Sequence, residues 1–493
     1  MTEKILIIGA GIAGLFAGLA LSRAQPGAPR RDIQIFERDP APPDSSPDLA
    51  FGAWRRQGVL HMRHSHAFLA RLHGLLRDRY PDLLGELLAA GCRELTFAHS
   101  LPATLREAYV PQPGDEDLTI LTSRRTTLEY VIRGYAARQI GVRFWTGATV
   151  RGLLTEPAAN SLRVTGIRAE HRGVIQNIPA DLVVDAGGKH SPAPAALRQA
   201  GLSFHEEREP AGIVYFTRHY RLRDGRDEPE RGRASSAGDL GYLKYGVFPG
   251  DNRCFSITLA VPEIEHDLRR AIRHAETFDK ICSHLPGIAR WTDRATSAPY
   301  SDSLAMGGLE NVWRHMLRGG SPRVLNFFPV GDSLIRTNPL YGRGCSFAAI
   351  QAQKLHAALT ATTDPAARAK IYHREVWRDL RPFYDNMVKQ DLSAIRRAHR
   401  QHDPGYRPRL RARLTKRFIE DGIAVALRAD IELMRAALRA FHMLEPPTSW
   451  LTNPRNLSRI MHYWLRGKRR NAAFYPPALG PTRAAMLATL GLI

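Results

Sequence analysis

Residues 5–18 read Ile-Leu-Ile-Ile-Gly-Ala-Gly-Ile-Ala-Gly-Leu-Phe-Ala-Gly. An apolar strand runs straight into Gly9-x-Gly11-x-x-Gly14, and the helix formers Leu15, Phe16, Ala17, Leu19, Ala20 and Leu21 follow. Each glycine has its own task. Gly9 allows a tight turn, Gly11 lets the backbone approach a pyrophosphate, and Gly14 lets the helix lie close on the strand. The helix N-terminus then turns unpaired N–H groups toward the phosphates. A second strand, Asp32-Ile-Gln-Ile-Phe-Glu37, ends on an acid able to accept from an adenosine ribose. Strand, helix, strand and terminal acid in this order predict a bound dinucleotide. A signal peptide with an apolar core does not fit, because the glycines break the run and no small-residue cleavage site follows.

Outward from this unit, 493 residues suffice for two or three domains with sizeable cores. At 44% hydrophobic and 24% charged, the chain is globular rather than disordered or fibrous. Its four cysteines (Cys92, Cys254, Cys282, Cys345) are scattered without metal or redox spacing, which predicts a reduced, cytoplasmic protein. No apolar run is long and Gly-free enough to span a bilayer. The net charge of +22 is uneven: residues 366–493 hold 25 Lys and Arg against 10 Asp and Glu, hence +15. That excess suits nucleic acid, an anionic membrane face or an acidic partner. A general preference for Arg, 61 against 9 Lys, is the plainer alternative.

Proline crowding makes residues 39–50 a surface loop. Helical periodicity covers 65–91 with a break at Pro81, and 123–140 from near Ser123. Val142–Trp145 and Ala148–Leu153 alternate like strands, and Ala180–Asp185 reads as a buried strand ending on an acid. Ile213–Arg221, Gly241–Val247 and Arg253–Val261 predict an antiparallel sheet. Val324–Val330 returns to a buried strand, Ser346–Leu359 is helical, and nearly everything beyond 366 is helix. From 410 to 441 apolar residues recur every three to five positions.

Four separated segments point at one cofactor: the Gly-rich turn with Glu37; Arg56-Gln-Gly-Val59; Asp181-Leu-Val-Val-Asp185-Ala-Gly187-Gly188; and Gly331-Asp332 followed by Asn338-Pro339-Leu-Tyr-Gly342-Arg-Gly344-Cys345-Ser346. Taken together, over about residues 1–390, they resemble the FAD-dependent monooxygenases of the p-hydroxybenzoate hydroxylase superfamily. The nearest resemblance is to the squalene-epoxidase-like, halogenase-like and geranylgeranyl-reductase-like branches. The resemblance implies an α/β fold: a Rossmann-type FAD-binding domain, an inserted antiparallel β-sheet substrate domain and a C-terminal helical region. The boundaries expected are 1–204 and 321–365 for the FAD-binding parts, 205–320 for the substrate domain and 366–493 for the basic helical region. Gly9, Gly11, Ile12, Ala13 and Gly14 would hold the FAD pyrophosphate, Glu37 the ribose and Arg38 the adenine. Arg56 would neutralise the pyrophosphate. Arg125, in an Arg-x-x-Leu128-Glu129 helix start, would face the cofactor, with the adjacent Arg124 as the one-residue alternative. Val150, Asp185 and Gly187 would line the site. Gly331 and Asp332 would meet the ribityl chain, Pro339 would lie beside the flavin, and Gly342, Gly344, Cys345 and Ser346 would open a helix whose N–H groups stabilise negative charge at its pyrimidine edge.

The implied chemistry transfers one atom of O2 through a flavin C4a-hydroperoxide to a bulky hydrophobic or aromatic metabolite, by hydroxylation or epoxidation. It requires no side-chain nucleophile, and no catalytic residue is assigned. Alternatives are an FAD-dependent reductase of isoprenoid double bonds and a non-redox flavoprotein cyclase or isomerase. NAD(P)H is the expected electron donor, but the altered segment Asp185-Ala-Gly-Gly188 puts that in question and leaves room for a separate flavin reductase. The paired-Trp motif of flavin halogenases is missing, and the corresponding Gly241-Tyr-Leu-Lys244-Tyr-Gly246 argues against halogenation. In Gly58-Val-Leu60-His61-Met-Arg63-His64-Ser-His66, Leu60 and His61 replace the Pro and Gln of relatives. Three histidines without carboxylate or thiolate partners predict loop anchors or a flavin border, not a metal site. Tyr215, Phe216, Tyr242, Tyr245, Phe255, Pro339 and Tyr341 are pocket candidates, with plain core as the alternative. Leu457, Ile460, Met461, Tyr463, Trp464 and Leu465 lie among Arg455, Arg459, Arg466, Lys468, Arg469 and Arg470, which suits peripheral contact with anionic lipid or an ordinary packed helix. No nucleic-acid-binding module accompanies the charge, so no nucleic acid is expected as a partner.

Overall fold

In the computed structural model the apolar run becomes strand β1 (Thr2–Ile8) and the Gly-rich turn leads into helix α1 (Ile12–Ser22). The structure describes residues 2–493 other than 24–28, 60, 231–233 and 404, so the Leu60 departure lies outside the described residues. In chain order follow β2 (Arg30–Glu37), α2 (Arg125–Ala137), β3 (Val142–Thr146), β4 (Leu182–Asp185), β5 (Ile213–Leu222), β6 (Lys244–Pro249), β7 (Cys254–Pro262) and β8 (Phe327–Pro329). Then come α3 (Gly344–Ala361), α4 (Pro365–His402), α5 (Leu410–Arg417), α6 (Ile431–Phe441) and α7 (Pro454–Arg470).

A five-stranded parallel sheet has the order β8-β4-β1-β2-β3, with Ile5 paired to both Leu182 and Ile33. Ile5, Leu6, Ile7 and Ile8 are at most 4% exposed, because helix α1 and the antiparallel arm of residues 148–179 both pack against the sheet, and this is why these strands read as unbroken apolar runs. The carboxyl ends of β1, β4 and β8 are tied together by Ala186 N donating to Ile8 O at 2.9 Å and Val330 N to Asp185 O at 2.8 Å. They leave a crevice where ligands of open α/β sheets bind. Across the back, Tyr372 on α4 donates its hydroxyl to Pro329 O at 2.7 Å.

The antiparallel sheet has the order Ala237–Asp239, β6, β7, β5, Ser297–Pro299, and Leu304–Met306 also pairs with β5. Strand alternation divides its side chains. Val214, Phe216, Tyr220, Leu222, Phe255, Ile257, Leu259 and Val261 enter a second core with Phe278, Ile281, Trp291, Met486 and Leu487. Their neighbours Tyr215, Thr217, His219, Ser256 and Thr258 take the opposite face, toward residues 61–66 and 338–341. A further antiparallel arm, Ala148–Ala158 with Ser161–His171 and Val174–Pro179, extends well beyond the Ala148–Leu153 read from sequence.

The 410–441 repeat is not one helix. A π-turn (Phe418–Ile423) follows α5, and Asp430 caps α6 by accepting from Glu432 N and Leu433 N. Among the described residues, no helix is long and apolar enough to cross a membrane.

Candidate cofactor site

The Gly-rich turn divides its three glycines by physical role. Gly9 sits at φ +94°, and a Cβ there would come within 2.7 Å of Ala186 O. A Cβ at Gly14 would come within 1.9 Å of Gly9 O, so that glycine closes α1 onto the turn. At Gly11 a Cβ would meet nothing within 4 Å: the space above it is open. Gly11 caps α1 without any side-chain hydrogen bond, so the N–H groups of Ile12 and Ala13 border that space unclaimed by a cap.

Glu37, at the end of β2, is 5% exposed. Its Oε2 accepts from Ala10 N (2.9 Å) and Arg56 Nη2 (2.9 Å), and Oε1 accepts from Asp39 N (2.9 Å). The structure uses Arg56 differently from a free counter-charge for a pyrophosphate. Its Nη1 meets Glu129 at 3.1 Å and its Nε meets Asp39 at 3.3 Å, so its charge is neutralised inside the chain by three carboxylates. Sequence reasoning read Glu129 only as part of a helix start; it is fully buried and holds both Arg56 and Arg125. Arg38 is half-exposed at the strand end beside Asp39.

The register between Arg124 and Arg125 follows from where each points. Arg124 bonds Asp251 and Asp48, toward the antiparallel sheet. Arg125, the first residue of α2, faces the crevice: Nη1 donates to His66 Nε2 at 3.3 Å and lies 3.7 Å from Cys345 Sγ. Burial opposes its charge, but Glu129, together with Cys345 and Asp332, outweighs burial and raises its pKa. Val150 is 9% exposed, pairs with Ala169 and belongs to the main core.

At the end of β4, Asp185 Oδ1 accepts from Gly187 N (3.0 Å) and Ser191 Oγ (2.7 Å), while its buried Oδ2 has no partner. Gly331, at φ +61°, packs against α1: a Cβ there would fall 2.5 Å from that of Ala13. Burial raises the carboxyl of Asp332, and Arg336, Arg125 and Arg314 work against that rise. The next loop, with Pro339 in its short helical turn, ends at Gly342 (φ +64°), and α3 begins at Gly344 with no side-chain cap. Cys345 and Ser346 lie in its first turn; burial raises the Cys345 thiol, and Ser346 Oγ is buried without a partner. Thus the space above Gly11 is open, two helix N-termini are uncapped, and enclosed oxygens on Asp185 and Ser346 have no protein partner. An elongated, phosphate-bearing ligand with hydroxyl and ring-nitrogen groups fits these residues.

Two further features complete the surroundings, and only the first escaped sequence reasoning. First, the loop Pro339–Tyr341 is anchored by Asp391 of α4, which is 2% exposed. Asp391 accepts from Asn311 Nδ2 (2.7 Å), Asn338 Nδ2 (2.9 Å) and Tyr341 OH (2.8 Å), and Tyr215 OH donates to Asn338 Oδ1 at 2.5 Å. Second, the loop of residues 61–66 meets β5 and β7 through His64 and Ser65. His64 Nδ1 bonds Thr217 Oγ1 at 3.0 Å, and Ser65 Oγ bonds Ser256 Oγ at 2.7 Å and Thr258 Oγ1 at 2.8 Å. His66 Nδ1 donates to His64 O while its Nε2 accepts from Arg125, which makes it a neutral ring. Burial lowers His64 to about 4, and burial followed by Arg125 lowers His66 to about 3. His219, which donates to Arg63 O, is likewise lowered to about 4 by burial.

Of the seven pocket candidates, Tyr215, Pro339 and Tyr341 come together beside the crevice. Phe216, Tyr242, Tyr245 and Phe255 do not: they belong to the second core, on the other face of the antiparallel sheet. Lys244 is held by Asp239 at 2.5 Å.

No protein-family model matches the chain. Protein Rv3254 of Mycobacterium tuberculosis is 28% identical over 377 residues, covering 73% of each chain. The flavin-dependent brominase Bmp2 matches 82% of this chain and 91% of its own, with a TM-score of 0.55 and 16% identity. PqsL of Pseudomonas aeruginosa, assigned as an FAD-dependent monooxygenase, matches 80% of this chain and 98% of its own, with a TM-score of 0.54 and 15% identity. The crevice at the carboxyl ends of β1, β4 and β8, flanked by the antiparallel sheet, thus belongs to a chain with the fold of the FAD-dependent monooxygenases and flavin-dependent halogenases.

Proposed function

We propose that this chain is an FAD-dependent monooxygenase that hydroxylates or epoxidises a bulky hydrophobic or aromatic metabolite, with electrons from NAD(P)H or from a separate flavin reductase. One observation carries the reading: the space above Gly11, the uncapped starts of α1 and α3, and the carboxylates of Asp185 and Asp332 border a single crevice of dinucleotide chemistry. FAD, when bound there, supplies the electron transfer and the activation of O2.

The protein's own part is binding, orientation and electrostatics. Backbone N–H groups of α1 would hold the pyrophosphate, and Glu37 stiffens the turn by accepting from Ala10 N. Asp332 would accept from hydroxyl groups of a bound FAD, and the uncapped start of α3 would stabilise negative charge on its flavin ring. The wall built from His64, His66 and His219 is hydrogen-bonded and uncharged at neutral pH, so it excludes bulk water without placing a fixed charge against an apolar substrate. Lys244, paired with Asp239, gives no support to halogenation.

The test is direct. The purified protein should be yellow, or become so with added FAD, and should consume O2 in step with oxygenated product when NADH, NADPH or a flavin reductase supplies electrons. A colourless protein that refuses FAD overturns the cofactor assignment. An FAD-bound protein that saturates an alkene anaerobically, or turns over without any redox change, overturns the monooxygenase assignment instead.

A further inference from the structure

The C-terminal helices carry a surface that the flavin chemistry does not use. Helix α5 buries none of its side chains. An eight-residue helix that buries no side chain is marginal in water. Leu410 and Leu414, one turn apart on one face, are 72% and 48% exposed. Helix α7 buries only Ile460 and exposes Leu457 and Leu465 at 43% and 76%, while Ile419 in the intervening π-turn is 50% exposed. Phe418 meets Trp464 edge-on at 5.3 Å, and Lys468 lies 3.5 Å from Asp421, so α7 and the turn after α5 form one continuous face. Residues 405–417 hold six Lys or Arg and no acid, and residues 454–470 hold another six and no acid. Gly467, at φ +80°, breaks α7 and turns Lys468-Arg469-Arg470 away from its axis.

We propose that this face, made by α5, the 418–423 turn and α7, docks on an anionic lipid bilayer with its helices in the headgroup plane. Exposed aliphatic side chains flanked by arginines match that boundary on both counts: the leucines enter the acyl region while the guanidinium groups meet phosphates. A nucleic acid would satisfy the charge and leave the leucines in water. A second copy of the chain would set a face with twelve Lys or Arg and only two acids, Glu420 and Asp421, against its like. The helices lie on the bilayer, none being able to cross it among the described residues. The inference stands independently of the bound cofactor.

The full-length protein should pellet with vesicles of phosphatidylglycerol and phosphatidylcholine in equal amounts, at least about tenfold more than with phosphatidylcholine alone. The double variant L410E/L414E, at two exposed positions, should lose at least about tenfold in partition while its thermal melting and far-UV spectrum stay those of the parent. Absence of pelleting with the mixed vesicles overturns the proposal. So does equal pelleting of parent and variant that salt of about 0.5 M abolishes for both, since charge alone then acts and any polyanion would serve. A dimer, formed without lipid and lost in L410E/L414E, would assign the leucines to a second copy and overturn it as well.

Discussion

Substituting Gly11 and Gly14 separately by alanine distinguishes a ligand-binding glycine from a packing glycine within one fingerprint. At Gly11 the backbone (φ −77°, ψ −177°) is extended and open to any residue, and the added methyl meets nothing within 4 Å. Deflavinated G11A should therefore melt within about 1 °C of the parent, any change coming from the slightly weaker cap. At Gly14 the methyl would lie 1.9 Å from Gly9 O and 3.0 Å from Gly9 C, both backbone atoms that cannot swing aside. Helix α1 must lift off the turn, at a cost of about 1–3 kcal/mol. With an unfolding entropy of about 2 cal/mol/K per residue, a chain of this length loses about 1 °C per kcal/mol, so G14A should melt about 1–3 °C lower. FAD binding should rank the variants in the reverse sense. The Gly11 methyl occupies the volume reserved for the pyrophosphate, and about 1–3 kcal/mol of overpacking weakens FAD by about 5- to 150-fold. Differential scanning fluorimetry of the deflavinated proteins and quenching of FAD fluorescence on titration read the two effects. G11A that binds FAD like the parent, or G14A that melts like it, would refute the division of roles.

Three further outcomes follow from the same geometry. Arg56→Ala strands the buried carboxylates of Glu37, Asp39 and Glu129 and should cost about 3–5 kcal/mol, seen as a lowered denaturation midpoint; Arg56→Lys should not restore it, because one ammonium cannot span three carboxylates. Asp332→Asn should raise the stability of the deflavinated protein at pH 7 while weakening FAD: a carboxyl raised above 3.8 stabilises the fold only when protonated, so the gain over the parent should shrink toward pH 4, and a loss of stability at pH 7 would contradict this. His64, His66 and His219 act in the opposite sense. Their folded values, lowered from 6.5 to about 4, 3 and 4, stabilise the protein above about pH 6.5 and lose that contribution as pH falls toward 4, so the melting temperature should drop between pH 7 and 5, and drop less in His66→Gln. A flat profile across that window would count against the neutral histidine wall.

Much of this site is written in local patterns. The Gly-rich turn, Asp185 and Gly187 after a buried strand, Gly331-Asp332 and the loop through Gly344 each announce themselves, because tight turns and helix starts restrict which residues fit at a given backbone position. The same holds for the antiparallel strands around 215, 245 and 257, whose alternation is visible in one dimension. Alternation yields two sets of side chains without saying which set meets the crevice. Phe216 and Tyr215 are neighbours, yet one fills the second core and the other reaches Asn338.

Sequence by itself therefore determined the opening strands of the parallel sheet, the turns at their carboxyl ends and the concentration of positive charge beyond residue 366. Tertiary structure alone decided that Arg125, and not Arg124, faces the crevice; that Arg56 is enclosed by three carboxylates; that Asp391 holds the 338–341 loop; and that α5 stands with nothing packed on its leucines. The reason is range. Backbone conformation and strand or helix periodicity are settled within a few residues. A buried charge is satisfied by partners brought from far along the chain (Glu129 lies 73 positions from Arg56, and Asp251 lies 127 from Arg124), and whether a leucine is covered depends on which element the fold lays over it.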